Sequence, residues 1–162
     1  MRDLGSVPQR HERFTEEKRF AALDRPVVVA GELSYRRPGV LEKLTLQPRF
    51  ERLTIDGDSL TVVDGGGATR RIDLGDQPEL RGLTDAMRAT LAGDVSTLQR
   101  SFRVSLAGSL PAWRLTLVPT SASVARLVEI VRIEGIGNRL TQIETIQANG
   151  DSSRMVIEPM IP

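Results

Sequence analysis

The sequence predicts a mainly β, α+β domain: a curved antiparallel sheet or open barrel of about eleven short strands, with two helices inserted mid-chain. Three observations carry this. Apolar and polar residues alternate with period two through most of the chain. Turn signals recur at short intervals, among them Asp56-Gly57, Gly65-Gly66-Gly67 and Asn149-Gly150-Asp151. Between Asp76 and Leu91 the apolar period lengthens to three and four.

In order, residues 1–9 are too short and too broken by Gly5 and Pro8 to form a stable helix alone. His11–Ala22 reads as the first strand and Leu23-Asp24-Arg25-Pro26 as a turn. Val27–Arg37 follows, with Val27, Val29, Leu33 and Tyr35 on one face. After Arg37-Pro38-Gly39, Leu44 and Leu46 alternate with Lys43, Thr45 and Gln47. Beyond Pro48, Leu53 and Ile55 carry a strand, then Leu60 and Val62, then Thr69–Leu74. Leu80, Leu83, Met87 and Leu91 form the stripe of an amphipathic helix. Asp76 suits its cap, Pro78 its first turn and Gly93 its end. Asp94 starts a shorter helix to about Arg100, with Val95 and Leu98 inward. Strands return around Phe102–Leu106 and Trp113–Leu117. Pro119-Thr120-Ser121 begins a polar break, and Leu127–Glu134, Leu140–Gln147 and Arg154–Glu158 complete the set.

The 162 residues are one domain's worth, long enough to bury a core. Twenty-two basic residues against 21 acidic ones leave a net charge of +1, and six aromatics are scattered. Neither a basic field nor a base-stacking platform is present, which argues against nucleic acid as a partner. Cysteine is absent, excluding disulfides, thiol catalysis and thiolate metal sites. No apolar run exceeds four residues, as in Val27–Ala30, and the N-terminus shows no secretory core.

Catalytic constellations are wanting. His11 is the single histidine, so no His–His metal pair exists. Glu16-Glu17 point to opposite faces of a strand, and Asp56 and Asp58 sit in a turn that favours Asp for backbone reasons. Gly65-Gly66-Gly67 lacks the Lys-Ser/Thr of a phosphate loop; Gly135-Ile136-Gly137 lacks the third glycine of a dinucleotide fingerprint. No serine has the flanking glycines of a hydrolase elbow. The expectation is a non-enzyme without metal or cofactor.

What remains is an apolar sheet face and a helix stripe to cover it. The plain reading is an ordinary core in a partner-binding or structural module. One residue argues for more. Strict period two places Arg37 with Val27, Val29, Leu33 and Tyr35, and an inward guanidinium is costly unless its five donors are satisfied. A closable cavity gives it a use, bonding carbonyls of a covering helix and letting go when a ligand enters.

These residues resemble the outer-membrane lipoprotein carrier, or LolA-like, family. The resemblance rests on Phe14-Thr15-Glu16, Gly31-Glu32-Leu33, Arg36-Arg37-Pro38 with Leu41, Gln47-Pro48, and Asp56-Gly57 with Leu60. Trp113–Pro119 and the turn at Asn149-Gly150-Asp151 fit more loosely. It implies an incomplete antiparallel β-barrel with a helical lid, enclosing a hydrophobic cavity for lipoprotein acyl chains. On that reading Arg37 is the lid latch. Leu33, Tyr35, Leu41, Leu44, Leu46, Leu53, Trp113 and Leu115 line the cavity; Leu80, Leu83, Met87 and Leu91 belong to the lid helix. It further implies a monomeric periplasmic shuttle, lipoprotein acyl chains or other lipid as partner, an inner-membrane releasing complex and an outer-membrane acceptor.

The chain also departs from the family. Leu41 stands where the carrier has a ligand-handling phenylalanine, and Lys43 where it has a tryptophan. The family's N-terminal helix, expected to be either truncated or vestigial, and the proteobacterial C-terminal extension have no counterpart in the sequence. These departures favour a related branch, and Lys43 in particular favours another acylated cargo such as a glycolipid.

Overall fold

The computed structural model describes residues 8–37, 39–109 and 111–160. The readings placed on residues 1–7 and on Pro38 lie outside them. Among the described residues eleven strands form one antiparallel sheet. They are β1 Gln9–Arg19, β2 Val27–Arg36, β3 Val40–Gln47, β4 Glu51–Asp56, β5 Ser59–Asp64, β6 Thr69–Asp73, β7 Phe102–Ala107, β8 Ala112–Pro119, β9 Val128–Ile136, β10 Arg139–Gln147 and β11 Ser152–Pro159. Their order is β6-β5-β4-β3-β2-β1-β11-β10-β9-β8-β7. First and last strands therefore pair at the middle of the sheet, Phe14 opposite Ile157. The two free edges, β6 and β7, are consecutive in sequence, and the helical segment spans the gap between them. This is the predicted open sheet with a helical insert.

A short 3-10 turn, Leu74–Asp76, leaves β6, and Asp73 caps it by accepting the Gly75 amide. Helix α1, Pro78–Ala92, has Pro at its start and ends on Gly93 in the left-handed conformation (φ 70°). Gln77, not Asp76, occupies the cap position. Asp94 caps α2, Val95–Leu98, by accepting the Thr97 amide. Just past Pro119-Thr120-Ser121, where the sequence predicts a polar break, a further helix, α3, Ala122–Ala125, packs against α1. Contact is close at Gly82, where a Cβ would fall 2.2 Å from Val124 Cγ2.

Register sets two faces. Directly opposed residues share a face, so Phe14 places Gly31, Thr45, Glu51 and Asp64 on its side. The next row runs Glu12, Leu33, Lys43, Leu53 and Val62, and the one beyond it Arg10, Tyr35, Leu41, Ile55 and Leu60. On the other half Trp113, Leu115 and Leu117 oppose Gly135, Ile133 and Val131. This inner face carries one continuous core with Leu74, Ala86, Ala89, Leu91 and Leu98 of the helical segment.

β3 corrects the phase read from sequence. Leu44 and Leu46 lie on the outer face, Leu46 exposed, while Lys43 and Thr45 face inward with Leu41. A bulge at Ala30/Gly31 shifts the register where β2 meets β3. Leu41 and Leu44 have opposite parity, so alternation alone had two phases to choose from, and the one with more leucines was not the native one.

Candidate functional site

The inner face is apolar at its flanks and ionic along its centre. β1 takes the middle of the sheet, and its inward residues are Arg10, Glu12, Phe14, Glu16 and Lys18. Arg10 is buried opposite Tyr35; its Nη2 donates to the Asn138 carbonyl at 2.8 Å, and Nη1 lies 3.9 Å from Glu12. Burial pushes the Arg10 guanidinium below its ordinary pKa, against the pull of Glu12 and Tyr35. Burial likewise raises Glu12 above the ordinary 4.5, outweighing Arg10 and Arg139.

A raised folded-state carboxyl means that the native protein holds the proton more tightly than the unfolded chain. Glu12's stabilising contribution is therefore present below the unfolded value and lost as pH rises through the folded one. The Tm difference between Glu12→Gln and wild type is expected to be more positive at pH 7 than at pH 4. The reverse order would mean that attraction to Arg10 outweighs burial.

One turn of the pleat further along, Lys43 Nζ sits 2.7 Å from Glu16 Oε1, and 5.2 Å from the centroid of the Phe14 ring. The Glu16 side chain is 8 % exposed and that of Lys43 26 %. Gly31 of β2, between Phe14 and Thr45, puts no side chain between the partners. An open pocket of about 670 Å³ is lined by Lys18, Val29, Thr45, Phe50, Glu51 and Asp64 among others, Val29 being the residue opposite Glu16.

At the other end of the sheet Trp113 is held by its own strand pairing. Its ring occupies the space a Cβ at Gly135 would fill, 2.1 Å from Cζ2, and Nε1 donates to the Gly137 carbonyl at 3.0 Å.

Helix α1 is fastened at the β4–β5 hairpin. The hairpin is a two-residue turn with Gly57 at φ 58°, as the Asp56-Gly57 signal predicts. Arg88 Nη2 donates to the Gly57 carbonyl at 2.7 Å, and Arg81 Nη2 lies 3.1 Å from Asp58. Asp85 stands between the two arginines, 3.8 Å from each. The Leu74 amide bonds the Asp58 carbonyl at 2.8 Å. The Arg88 stem lies over Gly39, where a Cβ would come within 3.1 Å of Cδ. The residues α1 buries are small or singly branched: Thr84, Ala86, Ala89, Thr90 and Leu91.

Arg37 is placed otherwise than parity indicates. β2 ends at Arg36, and Arg37 sits in the β2–β3 turn with its side chain exposed and its amide bonded to the Pro8 carbonyl. Period two does not extend through a turn, so it cannot orient Arg37. Among the described residues no hydrogen bond joins its side chain to the helix; the arginine between sheet and helix is Arg88, donated from the helix. Of the named cavity residues, Leu33, Tyr35, Leu41, Leu53, Trp113 and Leu115 lie on the inner face, whereas Leu44 and Leu46 do not. Of the lid stripe, Leu91 is buried, Leu80 and Leu83 are half-buried against the core, and Met87 is 44 % exposed. Thr84, Ala86 and Ala89 rotate the buried face away from Met87.

Sequence reasoning missed Arg10, Glu12, Glu16, Arg81 and Arg88. A signal for the first three existed. Phe14 fixes the phase of β1, and period two from it collects Arg10, Glu12, Glu16 and Lys18.

Among the described residues no cluster of three or more His, Asp or Glu is placed to hold a metal ion, and no helix is long and apolar enough to cross a membrane.

No curated protein sequence matches this chain. Among solved structures it is similar to a LolA superfamily protein from Nitrosomonas europaea, at 13% identity and TM-score 0.42, over 99% of this chain and 91% of that one. It is also similar to the MucA/MucB complex structure of Pseudomonas aeruginosa, at 16% identity and TM-score 0.47, over 96% of this chain and 53% of that one. A third is a putative outer membrane lipoprotein-sorting protein domain from Vibrio parahaemolyticus, at 10% identity and TM-score 0.42, over 91% of this chain and 83% of that one. A family model described as outer membrane lipoprotein carrier protein LolA-like matches residues 3–159, and with that span nearly the whole chain is accounted for: it belongs to the LolA-like family.

Proposed function

We propose that this protein is a periplasmic carrier that takes acyl chains of a lipidated cargo against the inner face of its sheet, beneath α1, and passes them to an outer-membrane acceptor. The observation that carries this reading is how α1 is held. Its fully buried positions are Thr84, Ala86, Ala89 and Thr90, with Leu91 the one large side chain among them. Leu80 and Leu83 are only half-buried against the core, and the helix is tied at its margin by Arg88 and Arg81 to a hairpin turn. Small residues leave few interlocking contacts to break when a helix lifts, while the ties favour the closed, empty state.

A carrier needs both properties. Acyl burial gains about 0.8 kcal/mol per CH₂, so a permanently open apolar face would hold its cargo too tightly to release. A closed state favoured by a few kcal/mol weakens apparent binding by the fraction of molecules that are open. The protein works as a monomer, loaded by an inner-membrane releasing complex. It catalyses no reaction, and its ligand enters and leaves unchanged.

Titration with a fluorescent fatty acid is expected to give saturable one-to-one binding, with slowed amide exchange in the inner strands β1–β3. Absence of binding at saturating probe would instead make the chain an interaction module with a permanently filled core. The departure at Lys43 motivates a second cargo, a glycolipid or other acylated envelope product. Mass spectrometry of lipid retained by protein purified from envelopes separates it from lipoprotein.

A further inference from the structure

A carrier of plain acyl chains has no use for an ion pair at the centre of its apolar face. Glu16 and Lys43 meet at 2.7 Å among Phe14, Val29, Leu33, Leu53 and Met155 by register, with Glu16 almost fully buried. Taking both charges out of water costs several kcal/mol per ion before their attraction offsets it, and an apolar pair of the same volume is often as stable. The partners are also unequal. Lys43 is the more exposed, and the pocket is lined by Thr45, two residues along the same strand, and by Val29, opposite Glu16.

Two cations line that pocket. Lys18 and Arg49 make no ion pair among the described residues. Two acids line it as well, Glu51 and Asp64, and Asp64 Oδ1 is engaged by the amides of Gly66 and Ala68.

Resting on the carrier reading above, we propose that Lys43 reads the head of the cargo. The ligand is an acyl or alkyl chain bearing an anionic group, a carboxylate or phosphate. The anion takes Glu16's place on the Lys43 ammonium, and Glu16 turns toward the solvent-open pocket. In the empty protein Glu16 holds the ammonium aimed, and the Phe14 ring supports it from its face. Lys18 and Arg49 draw the anion in through the pocket, and the chain lies along the inner face under α1.

The test is displacement of a neutral fluorescent acyl ester by three competitors: dodecyl phosphate, dodecanol and inorganic phosphate. Wild type is expected to prefer dodecyl phosphate over dodecanol by roughly tenfold, the scale of one charge-assisted hydrogen bond. Lys43→Met brings that ratio to within twofold. Because Lys43→Met strands Glu16 without its partner, Glu16→Gln/Lys43→Met serves as a second variant, with the same expected loss of preference. Equal displacement by dodecyl phosphate and dodecanol in wild type, or a preference that survives the double variant, overturns the headgroup assignment and leaves the carrier intact. Displacement by inorganic phosphate as effective as by dodecyl phosphate also overturns it, since the anion would then bind without a chain. Failure of every competitor, with no binding of the probe itself, removes the carrier reading instead.

Discussion

Replacing Arg88 by methionine is expected to tighten binding of a fluorescent acyl probe by roughly ten- to a hundredfold. The substitution keeps an apolar stem over Gly39 and removes the donor to the Gly57 carbonyl. A hydrogen bond from a charged group contributes about 1.5–3 kcal/mol, and its loss raises the open fraction by the corresponding factor. Apparent affinity for a ligand that needs the open state rises with it until that state is dominant. Amide exchange across Pro78–Ala92 is expected to accelerate in the free variant, and release of probe to vesicles to slow. Arg81→Met acts in the same direction but more weakly, because both its partners are exposed and solvent screens them. Arg37→Leu, exposed in its turn, should change affinity by less than twofold. A faster-exchanging helix with unchanged affinity would show that the clasp holds α1 but that ligand does not enter beneath it. Unchanged exchange would remove the clasp altogether.

Gly31→Ala is expected to cost about 3 kcal/mol, at the upper end for an overpacked interior site. The added Cβ would stand 1.9 Å from the Leu44 carbonyl oxygen and 2.9 Å from the Thr45 Cα. Both are backbone atoms of the paired strand, so no rotamer change relieves the clash. β3 must move, and with it the register that brings Leu41, Lys43 and Thr45 inward. For a domain of this size the cost corresponds to a fall in Tm of roughly 6–12 °C. Gly65→Ala is the control, since its Cβ meets nothing closer than 3.6 Å, and it should stay within about 0.5 kcal/mol of wild type. A Gly31→Ala protein melting within 2 °C of wild type would mean that the bulge relaxes around the methyl group.

Gly31, Arg37 and Arg88 mark how far the fold is legible in the residues. Period and turn chemistry located the strands and α1, because alternation and punctuation are local. Pro78 and Gly93 bound the helix where their backbone preferences put them. α3 escaped, since four residues give no helical period to detect. Phase was harder. In β3 both settings bury a leucine, and only pairing with β2 and β4 across the Ala30/Gly31 bulge selects Leu41 over Leu44. Arg37 was assigned by extending an alternation into a turn, where no alternation exists. Arg88 gave no signal, because its partner is a backbone carbonyl thirty-one residues away.

The sequence by itself determined the sheet-rich class, the mid-chain helix, the hairpin at Asp56-Gly57, the absence of thiol chemistry and the family likeness. The first three depend on residues near one another in the chain, the last two on composition and on the order of short motifs. Only the tertiary structure decided that β1 pairs with β11, which moves the opening of the sheet from the chain termini to the gap between β6 and β7. It also decided that the charges of β1 face inward and that Glu16 meets Lys43 across β2. Local patterning records whether a side chain is polar. What that side chain faces depends on which strand the sheet lays beside it, and this is settled by packing between segments remote in sequence.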